Sequence, residues 1–148
     1  MPPLMEIENM MRPVSIEYFE RLSFLAMMVG IAFTILSWNP GQAERLHVGP
    51  MFLPLALAGC YVLLGTLVLL ISRKASLIAQ MIFLLLCAAG AVLAVPAVPA
   101  ILSDGEIGLL QVVQIALQGV AIYFLFTPEA RAWFRAKRGG GEAASARG

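Results

Sequence analysis

Four apolar blocks dominate the chain: about Phe19–Trp38, Met51–Ser72, Leu77–Val95 and Leu109–Phe126. Each is close to the ~20 residues that a helix rising about 1.5 Å per residue needs to cross a hydrocarbon core about 30 Å thick. Nothing else in the sequence constrains the fold as strongly. A segment in hydrocarbon must satisfy its own backbone N–H and C=O groups, which a helix does and an open sheet does not. Buried helices of a water-soluble domain are the competing reading, and composition opposes it. With 60% hydrophobic and 13% charged residues over 148 positions, too little polar surface remains to coat a globule. The expected fold is all-α, a transmembrane up-down four-helix bundle with a short C-terminal interfacial helix.

The blocks divide the chain into a flexible N-terminal tail over 1–14, a transmembrane domain over 15–126, an amphipathic cytoplasmic helix over 127–138 and a disordered tail over 139–148. Met10 and Met11 are further candidate start positions. The first block is longer than a signal-peptide core and reaches Ser37-Trp38-Asn39-Pro40 without a small-x-small cleavage site, so it reads as a retained anchor. Charge sets the orientation. Arg12, Arg21, Arg73, Lys74, Arg131, Arg135, Lys137, Arg138 and Arg147 fall on one side and Arg45 alone on the other, where the second loop, Ser103-Asp104-Gly105-Glu106, is acidic. Lys and Arg accumulate on the cytoplasmic side, so both termini are expected there. Trp38 belongs at the outer interface. Asn39-Pro40-Gly41 is a turn signal, and Pro50 and Pro54 open the second span where a missing N–H costs little. Pro96 and Pro99 read as the outward end of the third span; a hinge there would need the helix to continue past Pro96.

The last block, GLLQVVQIALQGVAIYFLF, carries three amides that cannot hydrogen-bond to lipid. At about 100° per residue, Gln111, Gln114 and Gln118 fall within about 60° of one another, while Leu109, Val113, Leu117, Val120 and Phe124 take the opposite side. The other spans repeat the design. Ser23, Gly30, Thr34 and Ser37 share a face on the first. Gly59 and Thr66 share one on the second, with Ala56 nearby, and Ser76, Gln80, Cys87, Ala91 and Ala94 line up on the third. Between helices in lipid, contact comes from close approach at small residues and from interhelical hydrogen bonds worth roughly 0.6 kcal/mol each. Gln111, Gln114, Gln118, Gln80, Thr34, Thr66, Ser23 and Ser37 are therefore the expected polar seam. Glue within the chain is the preferred reading, since a packed core of four short helices leaves little room for a pore. Contact with a second chain and the wall of a solute route are the alternatives. Cys60 and Cys87, at similar depth on neighbouring helices, read as small hydrophobes rather than a disulfide.

At the C-terminal side, Thr127-Pro128-Glu129 reads as a helix start: cap, proline in the first position, acid in the first turn. The helix that follows is expected to lie in the cytoplasmic headgroup layer, with Trp133 and Phe134 dipping in and Arg131, Arg135 and Arg138 contacting anionic phospholipid headgroups. The plainer alternative is a basic flank that needs no particular lipid. At the other end, Ser15 is a candidate N-cap, Glu17 and Arg21 form an i,i+4 pair, and Glu20 is expected in the headgroup region.

RPVSIEYFERL, the ISRKAS loop and LQGVAIYFLFTPEARAWF together resemble a loose family of uncharacterised small four-span bacterial inner-membrane proteins. The best points of likeness are Phe19-Glu20 entering the first span, Trp38 ending it, Arg73-Lys74-Ala75-Ser76, and the run from Phe126 to Phe134. The likeness covers nearly the whole chain up to about Arg138. It implies architecture and a bacterial inner-membrane setting, and no activity.

Several chemistries lack their residues. His47 is the only histidine, with no Cys or second His at ligand spacing, so no metal is expected. No phosphate-binding glycine loop, nucleophile elbow or zinc-protease helix occurs, and no catalytic residue or cofactor is expected. A net charge of +1 makes nucleic acid an unsuitable partner. Four-span multidrug transporters depend on a carboxylate inside the membrane, and the cores of these blocks hold none. Four-span fluoride channels often insert both ways with balanced charge, unlike this one-sided distribution. The reading that remains is a non-enzymatic membrane protein that associates with itself or with a larger complex. A dimeric solute or ion conduit and an anionic-lipid-responsive protein stand as alternatives.

Overall fold

The computed structural model describes residues 12–37, 49, 51–95, 98–103 and 105–145. Trp38, the Asn39-Pro40-Gly41 turn, Arg45, His47, Pro50, Pro96 and Asp104 lie outside the described residues, as does the N-terminal tail before Arg12. Among the described residues all regular structure is helical. The helices are α1 (Val14–Leu36), α2 (Phe52–Lys74), α3 (Leu77–Ala94), α4 (Val98–Ser103), α5 (Glu106–Leu125) and α6 (Pro128–Ser145). Three helical stretches, Val14–Leu36, Phe52–Lys74 and Gly108–Leu125, are long and apolar enough to cross a membrane, and α3 is a shorter apolar helix over Leu77–Val92.

Local chemistry accounts for the ends. Pro13 occupies the N-cap position of α1 and accepts from the N–H groups of Ile16 and Glu17; the expected cap, Ser15, lies one step inside the helix, buried and with no partner for its hydroxyl. Ala75 turns the chain between α2 and α3 in the left-handed conformation, φ 52°, with its N–H bonded to Ile71 O. Ser76 then caps α3 by accepting from Ala79 N at 3.3 Å. α3 ends at Ala94, just before Pro96, and Pro99 sits in the first turn of α4, where the sequence suggested only a loop. Thr127 caps α6 as expected, accepting from Ala130 N at 3.4 Å. α6 departs from expectation at its far end: the helix continues across Gly139, Gly140 and Gly141 to Ser145, where a disordered tail was anticipated. Glu142, Ala143 and Ala144 beyond the glycines are strong helix formers, which favours continuation.

Packing is uneven along the helices. α1 runs against α5 over most of its length and also touches α2, α3 leans on α2, and α6 folds back against α1 and α5. The tightly buried side chains concentrate at one end: Ile16 and Phe19 from α1, Leu67, Val68 and Ile71 from α2, Phe83 from α3, Leu125 from α5, and Trp133 and Phe134 from α6. Phe19 meets Phe83 edge-on at 5.6 Å between ring centres. We call this end the base.

Trp133 and Phe134 belong to that base, which corrects their expected place in the headgroup layer. Trp133 is 7% exposed and Phe134 4% exposed. Their rings contact each other at 5.2 Å, and the Lys137 ammonium sits 4.8 Å over the indole. Lys137 Nζ also donates to Arg73 O at 2.7 Å, satisfying a carbonyl in the last turn of α2 that has no partner within the helix. α6 is thus held by contacts with the rest of the chain. Glu20 reinforces the same end, accepting from Arg12 at 2.6 Å and lying 3.9 Å from Arg73, while the expected Glu17–Arg21 pair forms at 3.8 Å on the surface.

This packing predicts that Trp133→Ala lowers stability by about 3–5 kcal/mol, the cost of emptying a buried aromatic site. Arg135→Ala, on the exposed face of α6, should change it by no more than about 0.5 kcal/mol. Thermal unfolding of the two variants in one detergent checks the difference; similar midpoints would place Trp133 outside the core.

Candidate functional site

Beyond the base the helices part. α3 stays on α2 while α5 stays on α1, and between them lies a partly open cavity of about 690 Å³. The expectation from four short helices was a packed core with little room for a pore; the described residues show a cavity beside the packed base. The cause is residue size. Gly90 and Ala91 on α3 and Gly119 on α5 present almost no side chain to the gap, and a Cβ built on Gly90 or Gly119 would meet nothing within 4 Å. The volume falls within the roughly 300–1,000 Å³ of ordinary small-molecule sites, which are apolar with a few placed polar groups.

The floor is made by Val68, Phe83 and Ile122, next to or within the packed base. Leu63, Leu64, Leu86, Met27 and Ile115 form apolar wall, and Val95 and Val98 lie toward the far end. Gln111, Gln114 and Gln118 all line the cavity, as does Ser23. The three amides lie along α5 as the periodicity requires. They turn away from Leu109, Val113 and Val120, which are exposed. The amides are half-buried and face a partly open space between the chain's own helices.

Two of the amides have neighbours that explain their positions. Gln118 Nε2 donates to Cys87 Sγ at 3.6 Å, a weak bond that links α5 to α3 across the gap. Gln114 reaches α1 at Gly30, where an added Cβ would sit 2.5 Å from Gln114 Nε2 and 2.9 Å from the Tyr61 hydroxyl. Glycine lets the three helices approach this closely, since a larger side chain would have to displace the ends of Gln114 and Tyr61. Thr34 Oγ1 donates to Gly30 O at 2.8 Å and lies 3.2 Å from Tyr61 Oη, so the tyrosine hydroxyl is left to donate to the threonine oxygen. Sequence reasoning missed Tyr61. A hydroxyl in the middle of an apolar span was the signal that it, too, needed a partner.

The remaining seam residues behave differently. Ser23 is 1% exposed and its hydroxyl has no hydrogen-bond partner. Ser37 donates to Phe33 O at 2.7 Å within its own helix. Thr66 points outward and donates to Val62 O at 2.8 Å, so it lies on an exposed face, contrary to its expected place in the packed seam. A threonine hydroxyl can satisfy itself on the preceding turn, which removes the need to face a neighbour. Gln80 is half-buried on the first turn of α3, away from the cavity wall. Cys60, at the cavity, and Cys87 are both free thiols. On α6, Arg131 and Arg135 are exposed, with Arg131 5.8 Å over the Phe126 ring; the side chain of Arg138 lies outside the described residues. Comparison with protein-family models, with curated proteins and with solved structures gives no match.

The Gly30 junction yields a graded prediction. Gly30→Ala should leave the thermal midpoint nearly unchanged, because about 1 kcal/mol of helix propensity offsets a small displacement of the flexible Gln114 amide. Gly30→Leu should cost about 1–3 kcal/mol by forcing α1 away from Tyr61 and Gln114. A leucine variant as stable as the parent would show that the three helices do not meet there.

Proposed function

We propose that this is a non-enzymatic integral membrane protein that works by binding a guest between its helices, within the bilayer. In this reading the four apolar helices form an up-down bundle in a bacterial inner membrane with both ends cytoplasmic. The base anchors the bundle and the parted region beyond it receives the guest. The observation that carries the reading is the placement of Gln111, Gln114, Gln118 and Ser23 on the wall of one cavity of about 690 Å³. Such groups are costly in hydrocarbon unless partnered, and a cavity of ligand size with few polar positions is the arrangement that a binding site requires. A through-conduit in a single chain is disfavoured by the floor, where Phe83 packs against Phe19.

Association with another membrane chain is retained as a second reading because of α2. Gly59 and Thr66 are exposed there, and a Cβ on Gly59 would meet nothing within 4 Å, so a neighbouring helix has room to approach. The basic face of α6, with Arg131 and Arg135, suits an anionic membrane surface whichever reading holds.

The double variant Gln114→Leu/Gln118→Leu separates the two readings. Purified in mild detergent and examined by native mass spectrometry, it should keep the parent's oligomeric state and lose a bound small molecule that the parent retains. Loss of the oligomer or of a co-purifying protein, with any small molecule still held, would favour association instead.

A further inference from the structure

We propose that the cavity takes an uncharged single-chain amphiphile, a hydrocarbon tail ending in a head that carries hydroxyl or ester oxygens, with the head against Ser23 and Gln118. The proposal rests on the binding reading above and names the class of guest. Shape is the first argument. The α3 wall runs from Phe83 to Val95, about 18 Å at a rise of about 1.5 Å per residue. A volume of about 690 Å³ spread over that length gives a mean cross-section of roughly 40 Å². The space is long relative to its width, and its section admits an extended hydrocarbon chain with room beside it.

Charge is the second argument. Among the described residues, those that line the slot include no Asp, Glu, Lys, Arg or His. An ionised head would lose its hydration and meet no counter-charge, whereas a neutral oxygen-bearing head needs only donors and acceptors. Each glutamine amide offers both, and a serine hydroxyl offers both.

The third argument is Ser23 itself. It is 1% exposed, lines the slot, and its hydroxyl is unpartnered. A buried hydroxyl that lines a cavity and has no partner in the chain is a position where an oxygen of a guest can bond. The junction at Gly30 and Gln114 fixes the register of α1 against α5. Ser23 lies about two turns from Gly30 toward the base, and Gln118 about one turn from Gln114 in the same direction. The Gln118 N–H is directed at Cys87, which leaves its carbonyl oxygen to accept. The polar end of the guest thus sits near the floor, and its tail follows the apolar wall of α3 toward Val95.

The test uses the full-length protein in nanodiscs of zwitterionic lipid at pH 8. Three diazirine probes of equal chain length are compared: a monoacylglycerol, the matching fatty acid and the matching alkane. Cross-linked peptides are mapped by mass spectrometry. The monoacylglycerol should label the cavity faces of α1, α3 and α5 in a manner competed by excess unlabelled monoacylglycerol, and both other probes should label them at least about ten-fold less. Ser23→Ala, which removes only the hydroxyl, should reduce labelling by roughly three- to ten-fold. Equal or stronger labelling by the fatty acid or the alkane would overturn the proposed class while leaving binding in the cavity standing. Competed labelling that Ser23→Ala leaves unchanged would overturn the placement of the head. Absence of competed labelling by any probe would overturn both the class and the binding reading. The probe comparison on the unaltered protein decides the class even if the variant does not fold.

Discussion

An amide is costly on a face turned to hydrocarbon, and the row of three on α5 turns instead toward the other helices of the chain. Gln114 reaches across to α1 at Gly30 and Gln118 reaches across to α3 at Cys87. These two contacts give α5 its rotation. They put Leu109, Val113 and Val120 outside and the amide row inside. In water the same side chains could turn to solvent at little cost. In lipid that exit is closed, so the two amides that reach other helices constrain how those helices are placed.

Residue size explains why the molecule is solid at one end and open at the other. At the base, large side chains from α1, α2, α3, α5 and α6 interlock, and polar groups act as ties: Lys137 on the carbonyl of Arg73, Glu20 between Arg12 and Arg73. Farther along, the facing residues shrink to Gly90, Ala91 and Gly119. α3 cannot follow α2 and close on α5 at once without large side chains to bridge the difference. The result is a cavity with a rigid floor, an apolar wall on α2 and α3, and hydrogen-bonding groups on α1 and α5. A packed floor below and room above is the division that the proposed binding within a bilayer needs.

Much of this was legible in the sequence. Block length gave the long apolar helices, the period of the glutamines gave their common face, and Thr127-Pro128-Glu129 gave the start of α6. What escaped depended on facts that one helix does not carry. The amphipathic pattern of α6 shows an apolar face, but whether Trp133 meets lipid or protein is decided by the base it folds onto. Small residues on α3 predict close approach, yet they yield a cavity when the facing helix is held elsewhere. Thr66 was assigned to the seam because it is polar; its hydroxyl is satisfied by Val62 of its own helix. Tyr61 was passed over as an aromatic, although its hydroxyl joins Thr34 at the centre of the three-helix junction.

The central claim is that the amide row of α5 is shielded from lipid by the chain's own helices. Spin labels placed singly along residues 109–125, in protein reconstituted into bilayers, measure this through collisions with bilayer-dissolved oxygen. The account predicts a helical oscillation with minima at positions 111, 114 and 118 and maxima at 109, 113 and 120. Maxima at 114 and 118, or no oscillation at all, would contradict it.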